Sequence, residues 1–391
     1  MPWGWSGEKM RTPKVARSLK VRDNTARNPE VAQGRGFGTR DSRWKGQPNH
    51  QSQITIPTDG TRWVSEERQP VLPQEPTFLL NVIGNTPLLE LSRIRKAYPG
   101  VKLLAKAEWF NPGGSVKDRA AASIIAAAEA KGQIRKGIRL LDASSGNTAV
   151  AYAMIAAVKG YPLTLCVPKN ANAQVLGLLR RYGAEVILTD PLQGSDGAIR
   201  KAKGLAESVP EKFLYLDQYS NPANWQAHYH STAVEIWQQT QGQVTHFVSG
   251  LGTTGTLIGT SRRLKEFNPR IRSIAVQPAT PLHGLEGLKH LASAIVPGIY
   301  DPAVPDETLF VSTEQAYATL KRLAFEEGMV IGPSAGAALA ASVILAERMA
   351  ASKQKAVIAL IFPDSGNRYL TEGLFDELPS SVSARVAYRA H

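Results

Sequence analysis

At 391 residues, with 43% hydrophobic and 20% charged residues, the chain has the composition of an ordinary soluble globular protein with a sizeable core. No apolar run approaches the roughly 18–20 residues that a membrane span requires, and a single cysteine, Cys166, excludes an internal disulfide. The net charge of +13 is uneven, since residues 1–50 hold eleven Lys/Arg against four Asp/Glu.

That basic stretch is rich in Gly, Asn, Gln, Ser and Arg and shows no sustained apolar period, so residues 1–75 read as a disordered extension. An appendage without a role, or a start site placed upstream, is the leading reading. Contact with nucleic acid or an acidic surface, and a transit peptide, are the alternatives. Ordered protein is expected over 76–378, followed by a short tail, 379–391.

From residue 78 the pattern becomes regular. Gly84-Asn85-Thr86-Pro87 is a turn, and 101–109 reads as a strand. Asn111-Pro112-Gly113-Gly114-Ser115 turns into an alanine-rich helix over 118–131, with Ser115 as a candidate N-cap. Strands are then expected at 138–142, 161–167, 184–189 and 212–216, separated by helices at 149–159, 172–182 and 195–208. The alternation resumes with a helix over 225–239, a strand at 244–249, a helix over 255–267 and a strand at 271–276. An irregular segment, 277–306, precedes a helix opened by the capping box Ser312 and Gln315 and stopped by Gly328. A further helix starts at Gly332-Pro333-Ser334, and 356–362 is the last strand. Strands alternating with helices at this spacing predict parallel βαβ units, hence two doubly wound α/β lobes with a cleft between them.

Four of the strand-to-helix loops are rich in Gly, Ser, Thr and Asn. Lys117 falls in the first turn of its helix, where unpaired N–H groups and the helix dipole already supply positive potential. A shielded amine there has a depressed pKa and is fit for nucleophilic work; a solvated surface lysine is the rival reading. Gly250-Leu251-Gly252-Thr253-Thr254-Gly255-Thr256 follows a strand and opens a helix, which makes an anion nest. It spells GxGxxG, yet the acidic residue a dinucleotide site needs is replaced by Gln277-Pro278, so a phosphate monoester fits better. Ser144-Ser145-Gly146-Asn147-Thr148 suits a carboxylate, with plain helix capping as the bland reading, and capping is also the default for Ser334. The histidines suggest nothing: His228 and His230 are two apart and share no helix face, so no metal is expected.

A reactive lysine, a phosphate nest and a carboxylate loop together point to pyridoxal phosphate chemistry on an amino acid. Over about 78–375 the chain resembles the fold-type II pyridoxal-phosphate enzymes, and most closely the cysteine synthase (O-acetylserine sulfhydrylase) group, B-type branch. The resemblance implies mostly parallel sheets in two lobes, a smaller mobile one of 112–222 and a larger one of 76–111 plus 223–378. It implies pyridoxal 5'-phosphate in the cleft on Lys117 as Schiff-base residue, with Gly252, Thr253, Thr254, Gly255 and Thr256 at its phosphate and Ser334 at its ring nitrogen. Ser144, Ser145, Asn147, Thr148 and Gln218 would hold the substrate carboxylate, Asn147 also bonding the cofactor. Ser144 stands where the family usually has threonine, and Ala149 where it usually has glycine. The activity implied is a β-replacement through an aminoacrylate, giving L-cysteine from an O-activated serine, O-acetylserine by default, and sulfide or another sulfur donor. O-phosphoserine, for which Lys289 and His290 are candidate cations, and cystathionine β-synthase activity are the alternatives. A catalytically silent binding homologue is the reading from another class. A cytoplasmic homodimer is expected, with no membrane or nucleic-acid partner.

Overall fold

The computed structural model describes residues 78–370; the basic extension read over 1–75 and the tail at 379–391 lie outside the described residues. A short strand β1 (Leu88–Glu90) leads to β2 (Val101–Ala107), and the glycine turn opens α1 (Lys117–Ala130). There follow β3 (Arg139–Ala143), α2 (Asn147–Lys159), β4 (Leu163–Pro168), α3 (Ala173–Arg181), β5 (Glu185–Thr189), α4 (Gly194–Ser208) and β6 (Phe213–Tyr215). The chain continues through α5 (Pro222–His230), α6 (Thr232–Gln239), β7 (His246–Gly250), α7 (Gly255–Phe267) and β8 (Arg272–Pro278). It ends with β9 (Glu307–Val311), α8 (Thr313–Glu327), α9 (Pro333–Ala351) and β10 (Ala356–Phe362).

Two sheets result. One is four-stranded and parallel, in the order β5-β4-β3-β6; the other is six-stranded, in the order β1-β2-β10-β7-β8-β9, parallel except for β1 on β2. Both are apolar on two faces, as a parallel sheet under helices must be. Along β10, Ile358, Leu360 and Phe362 enter the core shared with α8 and α9, while Ala359 and Ile361 enter the one shared with α6 and α7. Along β4, Leu163, Leu165 and Val167 face the core of α1 and α2, and Cys166 faces Ala198 and Ala202 of α4. The mostly parallel α/β architecture is the one expected.

Local signals behave as physical chemistry predicts in several places. Ser312 Oγ accepts from Gln315 N–H while Gln315 Oε1 accepts from Ser312 N–H, and Gly328 ends α8 in the left-handed region at φ 71°. Ser115 lies one residue before the cap position of α1, which is Val116, but its Oγ still accepts from Lys117 N–H at 3.3 Å. Helix α9 has the length and apolarity of a membrane span, contrary to the reading that no such run exists; it is mostly buried and packs in the core of the six-stranded sheet.

One expectation is corrected, and one strand was not anticipated. The helix read over 225–239 is two helices, broken at Ser231 (φ −123°, ψ −71°). Ser231 Oγ donates to Ala227 C=O at 2.6 Å, a back-bond that bends helices, and accepts from Arg119. Strand β9 follows directly on the irregular segment and forms an edge beside β8.

The crossing of α5 over α7 is close because α7 carries glycine at two positions on one face. A Cβ on Gly255 would run into the Asn224 side chain, and one on Gly259 would overlap Trp225 C=O and Tyr229 N–H of α5. Backbone cannot step aside as a side chain can. Gly259→Ala is therefore expected to cost about 1–3 kcal/mol, the usual range for overpacking. Urea unfolding measures it, and an unchanged midpoint would contradict the close crossing.

Candidate active site

The polar loops gather at the carboxyl ends of the strands, around two adjoining cavities. The inner one is lined by Lys117, Thr253, Thr254, Thr256 and Ser334. The outer one is lined by Lys117, Ser144, Ser145, Thr148, Gln218 and Lys289. Asn147 and Gly252 border both. The cofactor and carboxylate residues expected from sequence thus all line a cavity except Gly255, which is buried at the start of α7.

Lys117 is placed by the turn before it. Gly114 takes φ 81°, a conformation costly for any side chain with a Cβ, and its N–H bonds to Asn111 C=O at 2.8 Å. Asp118 folds back to accept from Gly113 N–H, and a Cβ on Gly113 would strike that carboxylate. Val116 N–H bonds to Pro363 C=O at 2.8 Å, which fastens the turn to the end of β10. Among the described residues Lys117 Nζ has no hydrogen bond and no ion pair. Burial pushes its pKa down, against the opposing carboxylates of Asp364 and Glu108. This is a shielded amine facing a cavity, which removes the surface-lysine reading.

Beneath it lies a buried ionic layer that the sequence did not suggest. Arg119 Nε donates to Glu108 Oε2 at 2.7 Å, and its two Nη atoms donate to both oxygens of Glu235 at 2.6 and 2.8 Å. Lys106 Nζ pairs with Glu235 at 2.6 Å and also bonds Thr86 C=O. Two cations thus meet two carboxylates, so the charges balance where water cannot reach them.

In the threonine loop, Thr254 has φ 70°, an outlier for a β-branched residue and the kind of local strain that collects at functional sites. Its Oγ1 is buried without a partner. A Cβ on Gly252 would meet Gly287 C=O, so only glycine lets the two segments approach. Ser334 is buried at the second residue of α9 and makes no hydrogen bond among the described residues; Gly332 holds the cap position, so Ser334 is not a cap. The capping reading also fails for 144–148: Gly146 caps α2, no side chain bonds the first turn, and Ser144 Oγ accepts from Gly146 N–H. An unpaired amine, two unpaired hydroxyls and a glycine-lined anion nest on one cavity fit pyridoxal phosphate, which carries an aldehyde, a ring nitrogen and a phosphate.

Asp364, Arg368 and Tyr369 were missed, as were the partners that hold the expected residues. Asn147 is gripped by the C-terminal side of the site: its Nδ2 donates to Asp364 Oδ2 at 2.7 Å, and its Oδ1 accepts from Arg368. Tyr369 donates to the same Asp364 oxygen at 2.6 Å and lines the outer cavity. Gln218 Nε2 donates to Ala143 C=O, and its own carbonyl accepts from Asn224 Nδ2. Lys289 reaches the outer cavity but is paired with Asp196 at 2.9 Å. His290 lines neither cavity and bonds Ser293. Glycine, serine and threonine loops are local signals, whereas these residues matter through partners far along the chain.

A family model described as pyridoxal-phosphate dependent enzyme matches residues 79–364. A protein named cysteine synthase from Aquifex aeolicus is 48% identical over 320 residues, covering 81% of this chain and 97% of that protein. A cysteine synthase B from Pseudomonas aeruginosa is 43% identical over 306 residues, covering 78% and 98%. Among solved structures, the cysteine synthase of Entamoeba histolytica superposes with a TM-score of 0.74 at 32% identity, covering 81% of this chain and 94% of that one.

Proposed function

The chain belongs to the pyridoxal-phosphate-dependent enzyme family, and from that membership and its site we infer a β-replacement that forms L-cysteine from O-acetylserine and sulfide. The observation that carries the reading is the unpaired Lys117 amine on the cavity shared by the threonine loop and Ser334. Bound pyridoxal phosphate supplies an electron sink that acidifies the substrate's α-carbon. Lys117 would anchor it, and burial, which lowers its pKa, suits the amine to take the α-proton as general base and return it after sulfur has added. Ser334 offers the ring nitrogen a neutral hydroxyl rather than a carboxylate, which favours elimination over transamination. Gly252 to Thr256 would hold the phosphate.

We assign the substrate carboxylate to Ser144, Ser145, Asn147, Thr148 and Gln218. The uncapped start of α2 supports this, since its free N–H groups and the neighbouring hydroxyls favour an anion. Asp364 and Arg368 would keep the Asn147 amide in one orientation for that task. Residues 112–222 are proposed as the lobe that moves over 76–111 and 223–378. A cytoplasmic homodimer is also proposed, with the exposed side chains of Phe78, Leu79, Val82 and Phe110 supporting a partner surface.

The leaving group follows from charge. O-phosphoserine brings a second anion, and Lys289, which lines the outer cavity beside Lys117, already neutralises Asp196. Acetate as leaving group asks for no such cation. The enzyme is expected to turn over O-acetylserine with a kcat/KM at least roughly tenfold above that for O-phosphoserine, the scale of one unpaired charge. Parallel assays with sulfide measure this, with serine and homocysteine as further arms. Equal or better use of O-phosphoserine would refute the assignment, and thioether formation from serine and homocysteine as the main activity would move it to cystathionine β-synthesis.

A further inference from the structure

Helix α5 lays two side chains, four residues apart and so on one face, against the threonine loop. Asn224 is buried, and its Nδ2 donates to Gln218 C=O at 2.7 Å and to Thr253 Oγ1 at 3.1 Å. His228 is buried as well, with Nδ1 at 2.9 Å from Thr232 Oγ1 and Nε2 at 3.3 Å from Thr256 Oγ1. Thr253 and Thr256 both line the inner cavity. The glycines at 255 and 259 are what bring α5 this near.

The direction of these bonds has a consequence. An amide nitrogen only donates, so Thr253 Oγ1 must accept from Asn224, and its own hydrogen is left to point elsewhere. A neutral imidazole has one donor and one acceptor nitrogen. If Thr232 donates to Nδ1, Nε2 carries the hydrogen and donates to Thr256, which frees the Thr256 hydrogen too. The opposite tautomer would turn the Thr256 lone pairs toward the cavity, where an anion would be repelled. Burial, with the nearby Arg119 charge adding to it, pushes the His228 pKa down to about 3, so the ring stays neutral at physiological pH.

We propose that Asn224, His228 and Thr232 form a polarising relay that turns the hydroxyls of Thr253 and Thr256 into donors toward the cofactor phosphate. The inference rests on the preceding assignment of that loop to the phosphate. These are positioning residues: they meet the cofactor only through the threonines. The relay also ties the phosphate loop to Gln218 on the substrate side, because one Asn224 amide bonds both.

The test compares binding of pyridoxal phosphate and of pyridoxal, which lacks the phosphate, to full-chain protein stripped of cofactor, in wild type and in His228→Phe, Thr232→Val and Thr232→Ser. Wild type should strongly prefer the phosphorylated aldehyde. His228→Phe should weaken pyridoxal phosphate roughly tenfold, the scale of one hydrogen bond to a charged group, with pyridoxal unaffected. Thr232→Val should act in the same direction, and Thr232→Ser, which keeps the hydroxyl, should match wild type. In the holoenzyme the phosphorus resonance should move in the first two variants, and 15N spectra should show His228 protonated at Nε2 in wild type. Thr232→Val keeps the size of the side chain and so serves if His228→Phe does not fold. Unchanged affinity in Thr232→Val, or an equal loss for both aldehydes, overturns the relay. A wild type that holds both aldehydes equally removes the loop assignment itself, and the relay with it.

Discussion

Lys117→Ala is expected to abolish cysteine formation, by roughly 10⁴-fold or more, since it deletes the group proposed as both covalent anchor and general base. The fold should survive, because among the described residues the Lys117 amine bonds nothing. The turn that places it is held by other groups: Asp118 on Gly113, Gly114 on Asn111, and Val116 on Pro363. Three measurements check this together. Sulfide-dependent turnover of O-acetylserine should vanish, borohydride should no longer fix the cofactor to the protein, and the thermal midpoint should stay within a few degrees of wild type. Residual cysteine formation in a preparation free of contaminating enzyme would refute the role of Lys117. A collapsed midpoint would instead show that the lysine is structural.

The largest stability effect is expected at Arg119, two residues further on. Its guanidinium is buried and satisfies Glu108 and Glu235, together with the hydroxyls of Thr86 and Ser231. Arg119→Met leaves two carboxylates out of water, with Lys106, paired to Glu235, as the remaining ion-pair partner among the described residues. Breaking a buried pair in this way costs about 3–5 kcal/mol, more than most single substitutions. The sign with pH can be worked out. Burial alone would raise the Glu235 pKa, yet Arg119 and Lys106 outweigh it and hold it at about 2. A carboxyl depressed in the folded state contributes stability above its unfolded pKa of about 4.3, and that contribution is lost as pH falls through about 2. In Arg119→Met much of the restraint is gone, so protonation relieves the variant while it weakens wild type. The gap between their denaturant midpoints should narrow from pH 7 to pH 3. A gap that is small at pH 7, or that widens in acid, would contradict the account.

Much of this architecture was legible in the sequence because its signals are local. Alternating apolar runs give strands, and glycine with hydroxyl residues marks the loops where strands hand over to helices. The loops carrying Lys117, Asn147 and Thr253 were found this way, and the fold brings them to one place. What stayed hidden depends on pairs distant along the chain. Asn147 and Arg368 are 221 residues apart, and Arg119 reaches Glu235 across 116. His228 looked empty because its partners are Thr232 and Thr256, and no spacing rule links a histidine to a threonine on a helix 28 residues away. Residues 225–239 have the composition of one helix, and the break at Ser231 comes from a back-bonding hydroxyl and a guanidinium 112 residues earlier. Lys289, placed beside the substrate by position, did reach the cavity, but its partner Asp196 could not be read from sequence.

The place of β10 in the larger sheet bears on how the protein is made. The smaller sheet is drawn from one continuous stretch, so its strands can pair while the rest of the chain is still being synthesised. The larger sheet cannot be completed in that order. Its last strand to leave the ribosome inserts between β2, among the first, and β7, and pairs with β2 over its whole length. Until then β2 and β7 are separated edges, and the turn before Lys117 lacks Pro363, to which it is fastened. The lysine is therefore positioned to capture an aldehyde only after β10 has been made and has inserted, which keeps a reactive amine from being assembled before the larger sheet closes.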